Sequence, residues 1–488
     1  MSGSRATPGS VVNTTTKRFA EVYRDDRFAV AALTLMLHPQ VGRVGEVALL
    51  KDLVTRGRVS LSRLEPEFGR LTEDACGPLL DPFLSRKPVK IESVTEGGLR
   101  LSVSSSGLQV SVNGAPLERD RVIDAAALDR GTLIQLGGRV VLLLHRVTLP
   151  VERGPQLGLV GESDALEAVR RSVRRVADVD VPVLIRGETG TGKELIARAI
   201  AANSSRRAGP FVAVNMAAIP SAIAASELFG HAKGAFTGAV DDRSGYFADA
   251  QGGTLFLDEV GLAPPEVQAM LLRALETREV RPLGSRRARK VDVRFLAATD
   301  AELELLVAQG KFSEALLNRI SGFQITAPPL RARREDVGRL VVYLLREELL
   351  AMGEGHRLDA PPEGQAPWFS ADLMERLARA SWPGNVRQLR NVVRQIVISS
   401  RGEPRARLDD GLLDEVEDMR PTSARPEADE HKAGTSRTAT LKEIEKRAIR
   451  EALTLHAGNQ TRAAAALGMS RRTFCERIKL YGIPRPRT

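Results

Sequence analysis

Cysteine is almost absent: Cys76 and Cys475 are the only 2 in 488 residues. They fall in segments of different composition, so neither a disulfide framework nor a cysteine-based zinc site is available, which suits a reducing cytoplasm. Aromatic residues are sparse at 4%, while the remaining composition, 43% hydrophobic and 27% charged, is ordinary for a soluble globular protein. No apolar run approaches the roughly 18 residues needed to cross a bilayer. Residues 1–16 are polar and Ser/Thr-rich, with no apolar stretch behind a basic start. Secretion and membrane insertion are therefore not expected, and a cytoplasmic location is. No internal repeat of fixed period is present.

At roughly 150 residues per domain, the length corresponds to about three domains with ample material for a large core. The net charge is +10, which points to an acidic partner, and the excess is unevenly placed. Residues 441–488 carry 11 Lys/Arg against 4 Glu, a balance of +7.

Composition divides the chain. Residues 1–27 read as a flexible lead. From 28 to 150, apolar and polar positions alternate, as in Leu99, Leu101 and Val103 and again in Leu108, Val110 and Val112. That is the period of half-buried strands. Gly137-Gly138 between 132–136 and 139–144 reads as a tight hairpin turn, so a β-sandwich is expected here. From 157 to 400, apolar runs at 181–185, 211–214, 254–257 and 293–297 alternate with helical periodicity, the pattern of a parallel sheet covered on both faces. Residues 401–438, rich in Pro, Glu, Asp, Arg and Ser, read as a linker, and helical periodicity returns over 439–488.

Gly187-Glu188-Thr189-Gly190-Thr191-Gly192-Lys193-Glu194 follows the first of these strands and opens a helical run. Glycines at this spacing let backbone N–H groups turn inward around phosphate oxygens at a helix N-terminus, and Lys193 can reach the β and γ phosphates. Glu194 replaces the usual Ser/Thr, removing a hydroxyl normally offered to Mg²⁺. Further on, Gly253 to Glu259 supplies an apolar strand ending in Asp258 and Glu259. In ATPases of this construction the Asp orients Mg²⁺ and the Glu polarises the attacking water. Taken alone, the two carboxylates could equally cap a helix; beside the glycine loop they indicate an ATP-hydrolysing core.

With Gly234-Ala235-Phe236-Thr237-Gly238-Ala239 and Trp382-Pro383-Gly384-Asn385-Val386-Arg387 added to these motifs, residues 157–400 resemble the AAA+ domain of sigma-54-dependent transcriptional activators, the bacterial enhancer-binding proteins. An α/β core to about 327 and a helical lid over about 328–400 are then implied, with ATP and Mg²⁺ as cofactors. Spacing alone leaves Phe236 either a core plug or the tip of a hinged finger. The resemblance implies the finger, with Phe236 and Thr237 touching sigma-54 in the promoter-bound polymerase. It also implies ATP sites between subunits of a ring, a hexamer when active, each completed by a neighbour's arginine. The family pattern Phe-Arg-x-Asp-Leu-x-x-Arg reads Phe312-Ser313-Glu314-Ala315-Leu316-Leu317-Asn318-Arg319 here, so Arg319 matches and Ser313 departs. By the same resemblance Asn215 restrains the catalytic Glu259, Thr299-Asp300 occupies the sensor I position where Thr-Asn is common, and Arg387 is the sensor II arginine reaching the γ-phosphate.

Residues 439–488 show a helix, the short turn Gly468-Met469-Ser470 and a basic helix from Arg471, a helix-turn-helix signature. It resembles the Fis-type domain of these activators, with Arg471, Arg472, Thr473, Arg477 and Lys479 as the candidates for enhancer DNA. The β-rich segment 28–150 resembles a forkhead-associated domain, which binds phosphothreonine peptides. Arg63, Ser85, Arg86 and Asn113 stand at its motif places, and Lys87-Pro88 replaces the usual x-His.

The function implied is ATP-driven remodelling of sigma-54 RNA polymerase holoenzyme from closed to open complex, under control of an N-terminal phosphopeptide-binding-type domain. An AAA+ machine with another client is a second reading, against which the Gly234–Ala239 hexapeptide speaks. A third is a DNA-binding regulator with weak or absent ATPase activity, to which Ser313 and Asp300 point.

Overall fold

The computed structural model describes residues 28–408 other than 72–74, 95–96, 104–108, 150–152, 237–238 and 363–364, together with Gln460. The lead at 1–27, the expected helix-turn-helix with Arg471, Arg472, Thr473, Arg477 and Lys479, and Thr237 and Gly238 lie outside the described residues. Residues Met1–Arg420 cluster as one compact unit and Pro421–Thr488 as another.

The alternating N-terminal segment forms strands β1 (Phe28–Leu37), β2 (Val47–Leu49), β3 (Arg58–Leu61), β4 (Phe68–Gly69), β5 (Ala75–Gly77), β6 (Val89–Ser93), β7 (Leu99–Val103), β8 (Val110–Val112), β9 (Ala115–Pro116), β10 (Asp120–Ile123), β11 (Thr132–Leu136) and β12 (Val140–Leu149). They make an eight-stranded sheet, β5-β4-β2-β1-β12-β11-β8-β9, and a four-stranded sheet, β10-β7-β6-β3. Leu33, Leu35, Leu61, Ile91, Leu101 and Leu142 close one core between them, giving a sandwich. Gly137 and Gly138 form the turn joining β11 to β12.

The central segment forms a parallel sheet in the order β14-β15-β18-β13-β19, where β13 is Val183–Arg186, β14 Phe211–Asn215, β15 Thr254–Asp258, β18 Arg294–Thr299 and β19 Phe323–Thr326. Alternate residues of each inner strand point to opposite helical layers. Ile185 and Phe256 meet α1 (Asp164–Val176) and α2 (Lys193–Ala202) through Val173, Ile196 and Ile200. Leu184 and Leu257 meet α3 (Ser221–Phe229), α4 (Pro265–Thr277) and α5 (Glu314–Ile320) through Leu228, Leu271 and Ile320. Both faces are dry, which is why these strands read as unbroken apolar runs. The small hairpin of β16 (Glu279–Val280) and β17 (Arg289–Lys290) projects between α4 and β18.

The lid consists chiefly of α6 (Val337–Ala351), α7 (Ala371–Arg379) and α8 (Asn385–Ser399). Its core does not close on itself: Met36, Leu37, Leu133, Val141 and Leu143 from β1, β11 and β12 belong to the same apolar cluster as Leu340, Leu344, Leu377 and Val393. The eight-stranded sheet is thus buried on its outer face too, which accounts for the continuous burial along β11 and most of β12. Gly338 on α6 allows this approach, since a Cβ there would stand 2.5 Å from the Met36 carbonyl oxygen. Gln135 Nε2 donates to Asp372 Oδ1 at 2.7 Å, and the Arg334 guanidinium donates to the carbonyls of Arg130 and Gly131. Five buried side chains of this size contribute on the order of 10 kcal/mol before the ordering cost is subtracted.

His145 lies in this seam, 7% exposed, with Nε2 at 2.7 Å from Thr34 Oγ1. Burial holds its pKa down at about 4, against an ordinary 6.5. The unfolded chain therefore binds a proton more readily than the folded one. The stabilisation is complete above about pH 6.5 and is lost as the pH falls toward 4, by up to about 3 kcal/mol. In denaturant titrations between pH 7 and pH 4.5, His145→Gln is expected to flatten the loss of stability seen in the parent chain.

Candidate functional site

The loop after β13 meets the C-terminal ends of β15 and β18, where a parallel sheet leaves room for a ligand. Gly190 has φ +79°, and a Cβ on it would lie 2.3 Å from the Gly384 carbonyl oxygen, so only glycine fits both the turn and the close approach of the lid. Lys193, 6% exposed, opens α2 with its Nζ 2.9 Å from the Gly187 carbonyl oxygen and 3.5 Å from Glu259 Oε1. Glu259 has φ +54°, a left-handed backbone that a non-glycine residue rarely takes, directly after Asp258. Asp258 Oδ1 accepts from the Glu259 N–H at 3.1 Å. Asp300 completes the group: its Oδ2 accepts from Thr189 Oγ1 at 2.5 Å, and its own N–H donates to Glu259 Oε2 at 3.4 Å.

The electrostatics follow. Burial raises the pKa of Glu259, Lys193 opposes that, and the charges of Asp300 and Asp258 add to it. Asp300 is itself pulled below the usual carboxylate range, foremost by the Thr189 hydroxyl. Glu259 thus faces a single buried ammonium, with Asp300 bonded to it and Asp258 adjoining it in the chain. A polyphosphate could share that space only with a cation beside it, a donor arrangement that fits Mg²⁺ held largely by phosphate oxygens and water. Among the described residues no cluster of His, Cys, Asp and Glu is placed to hold a metal unaided.

Other residues marked in the sequence have more local engagements. Glu194 turns outward to pair with Arg198 at 2.7 Å. Thr191 Oγ1 donates to the Glu188 carbonyl oxygen at 2.8 Å. Thr299 is buried, its Oγ1 accepting from the Ala301 N–H and its carbonyl from the Gly187 N–H. Asn215 Oδ1 accepts from the Ala217 N–H at 2.8 Å, capping the short turn that ends β14. Ser313 is the N-cap of α5, accepting from the Leu316 N–H. The Arg319 guanidinium donates to the Leu275 carbonyl oxygen and is exposed. Arg387 is exposed on α8, its Cβ 3.0 Å from where a Cβ on Gly190 would be. In the sandwich, the Arg63 N–H donates to the Ser85 carbonyl oxygen at 3.3 Å, and Arg86 follows on an exposed turn. Asn113 instead accepts from the Leu133 N–H, and Gly114 beside it lies under Arg379 of the lid.

The clasp between lid and loop was not read from the sequence. Asn385 is fully buried with φ +54°; its Oδ1 accepts from the Leu330 N–H at 2.8 Å and its Nδ2 donates to the Thr189 carbonyl at 3.0 Å and Glu188 Oε2 at 3.1 Å. Arg331 grips Glu188 with both Nη atoms, at 2.7 and 2.5 Å, and Arg333 Nη2 donates to the Thr191 carbonyl. The Val386 N–H donates to the Gly190 carbonyl at 3.0 Å. The arginine-rich run Arg331-Ala332-Arg333-Arg334 was the available signal.

A parallel sheet with a glycine loop at its edge, closed by a helical lid, defines the AAA+ class, and profile comparisons agree. Residues 159–326 match the family described as the Sigma-54 interaction domain, 331–425 the AAA+ ATPase lid domain, and 440–481 the Bacterial regulatory protein, Fis family. The transcriptional regulatory protein ZraR of Klebsiella oxytoca is 41% identical over 331 residues, covering 67% of this chain and 70% of that protein. The DNA-binding transcriptional regulator NtrC of Azospirillum brasilense is 40% identical over 356 residues, 68% of this chain and 71% of the relative. A solved structure of NtrX from Brucella abortus in complex with ATP is 35% identical, with 67% and 70% coverage and a TM-score of 0.47. The chain belongs to the sigma-54-dependent transcriptional activators of the NtrC and ZraR type. Nucleotide binding and DNA binding come with that membership. No helix among the described residues is long and apolar enough to cross a membrane.

Replacing Asn385 by Ala leaves the buried Leu330 N–H unpaired, at about 1–3 kcal/mol, and frees the Thr189 carbonyl of the loop. Asn385→Ala is expected to weaken ATP binding at least tenfold in equilibrium titration and to lower the melting temperature, while Arg390→Ala on the exposed face of the same helix does neither.

Proposed function

We propose that this chain hydrolyses ATP in a ring assembly, a hexamer when active, and uses the cycle to remodel promoter-bound sigma-54 RNA polymerase into the open complex while tethered to enhancer DNA. The observation that carries the reading is the linkage of Lys193 to Glu259, of Glu259 to Asp300 and of Asp300 to Thr189 on a loop whose backbone is also held by the lid. Lys193 binds the β and γ phosphates, and Glu259 takes a proton from the attacking water. Asp258 is the residue to hold Mg²⁺, which when bound neutralises charge on the phosphate oxygens. Arg319 lies on the surface, as an arginine serving a neighbouring subunit's site must. With Ser313 used as a helix cap, Arg319 carries that task without the first arginine of the family pattern.

Nucleotide state reaches sigma-54 through the Gly234–Ala239 segment. Phe236 is 43% exposed, its ring edge-on to His231 at 5.0 Å. The N-terminal sandwich, read as a forkhead-associated-type domain that takes a phosphothreonine peptide at Arg63, Ser85 and Arg86, acts through the lid. The apolar seam to α6 and α7 supports that route, because the same lid bears Asn385 and Arg387 on the loop.

Glu259→Gln is expected to bind ATP yet lose turnover by about 10²–10⁴-fold. Thr237→Ala keeps ATPase activity and loses open-complex formation in a purified transcription assay; full activation by that variant would sink the remodelling reading. Since the Asp300 charge raises the Glu259 pKa, Asp300→Asn moves the acid limb of the ATPase pH profile to lower pH. An unmoved limb would show that Glu259 does not set it.

A further inference from the structure

Residues 281–290 contain no acid and carry Arg281, Arg286, Arg287, Arg289 and Lys290, all exposed. None of these side chains has a hydrogen bond or ion pair among the described residues. Arginines around them are treated differently: Arg278 pairs with Asp180, Arg206 with Asp180 and Asp292, and Arg243 with Glu227. The hairpin therefore presents a concentrated positive charge that its own fold does not neutralise.

Its position is defined by backbone bonds. β16 and β17 pair Glu279 with Lys290 and Val280 with Arg289. Beyond them, the Leu283 N–H donates to the Gly230 carbonyl at 2.9 Å and the Ala232 N–H to the Leu283 carbonyl at 2.8 Å. At Gly284 an added Cβ would fall 2.7 Å from the Ala235 Cβ, so the hairpin lies against the base of the Phe236 segment with nothing between.

The chemistry of the patch selects its partner. Protein interfaces are anchored by buried aromatic and aliphatic side chains; here Pro282 is buried, Leu283 is half-buried toward Gly230, and Ala288 is the exposed apolar residue. A row of guanidinium groups without apolar anchors suits phosphates, which reward charge and donors and carry no sequence information. We propose that the 281–290 hairpin is a DNA-contact surface separate from the Fis-family segment, gripping the phosphate backbone of the promoter duplex beside the segment that meets sigma-54. The inference rests on the remodelling reading above for where that duplex lies.

The test uses the full chain with Arg286, Arg287, Arg289 and Lys290 all changed to Gln, and a second version with the three arginines changed to Lys. Binding of a labelled promoter duplex is followed by anisotropy against salt, with no polymerase present. Each phosphate that the protein ceases to neutralise lowers the log–log slope by about 0.9, so the Gln version should fall by about 2–4 units of slope and the Lys version little. A photo-cross-linker at Ala288 should then label promoter DNA once sigma-54 polymerase and nucleotide are added. Parent-like slope in the Gln version, or cross-links to protein subunits alone, overturns the proposal in favour of an acidic protein surface. If the parent chain forms no open complex with sigma-54 polymerase while the slope still drops, the remodelling reading fails and the DNA contact stands.

Discussion

One buried amide joins the lid to the phosphate loop. Asn385 sits in a left-handed turn at zero exposure and divides its hydrogen bonds between the phosphate loop and the segment that follows the last strand of the sheet. An amide in a dry seam has no water to fall back on, so the lid is either docked on the loop or these groups go unpaired. The lid in turn completes its core with side chains of the sandwich. Sandwich, lid and phosphate loop are therefore linked by contacts that are each expensive to break, and a change at one end of the chain of contacts has a physical path to the nucleotide site.

The charges at that site are arranged against the resting state. Glu259 is held in strained backbone, beside two further carboxylates and one buried ammonium. A polyphosphate with its counter-cation would offset that imbalance by taking up Lys193. Asp300 increases the imbalance and ties it to Thr189 at the tip of the loop. Ser313 begins the helix that carries Arg319, its side chain accepting from the Leu316 N–H.

Legibility in the sequence followed the range of each interaction. The inner strands β13, β15 and β18 could be read because burial on both faces writes an unbroken apolar run, and the edge strand β14 because Phe211 to Val214 is apolar although only Val214 is buried. The edge strand β19 could not, since its exposure alternates and Gln324 and Thr326 interrupt it. The hairpin of β16 and β17 is too short for any period to register. In the sandwich the alternation was plain, yet the continuous burial of Val140 to Leu144 meant a second covered face, and nothing local says what covers it. The cap that Asn215 provides at the end of β14 is local, since an Asn at a strand end readily bonds its own backbone.

The sequence alone determined the chemistry that is contiguous along the chain: a glycine loop opening a helix, two carboxylates ending a strand, an alternating sandwich. These are decided by neighbours a few residues apart, where sterics and periodicity act without knowledge of the fold. Tertiary structure decided which surfaces meet. Glu188 and Asn385 stand 197 residues apart, and Gln135 and Asp372 stand 237 apart, yet each pair shares a proton donor and acceptor. Such pairings depend on the exclusion of water from seams that exist only once the sheets and helices have assembled, and no local pattern carries that information.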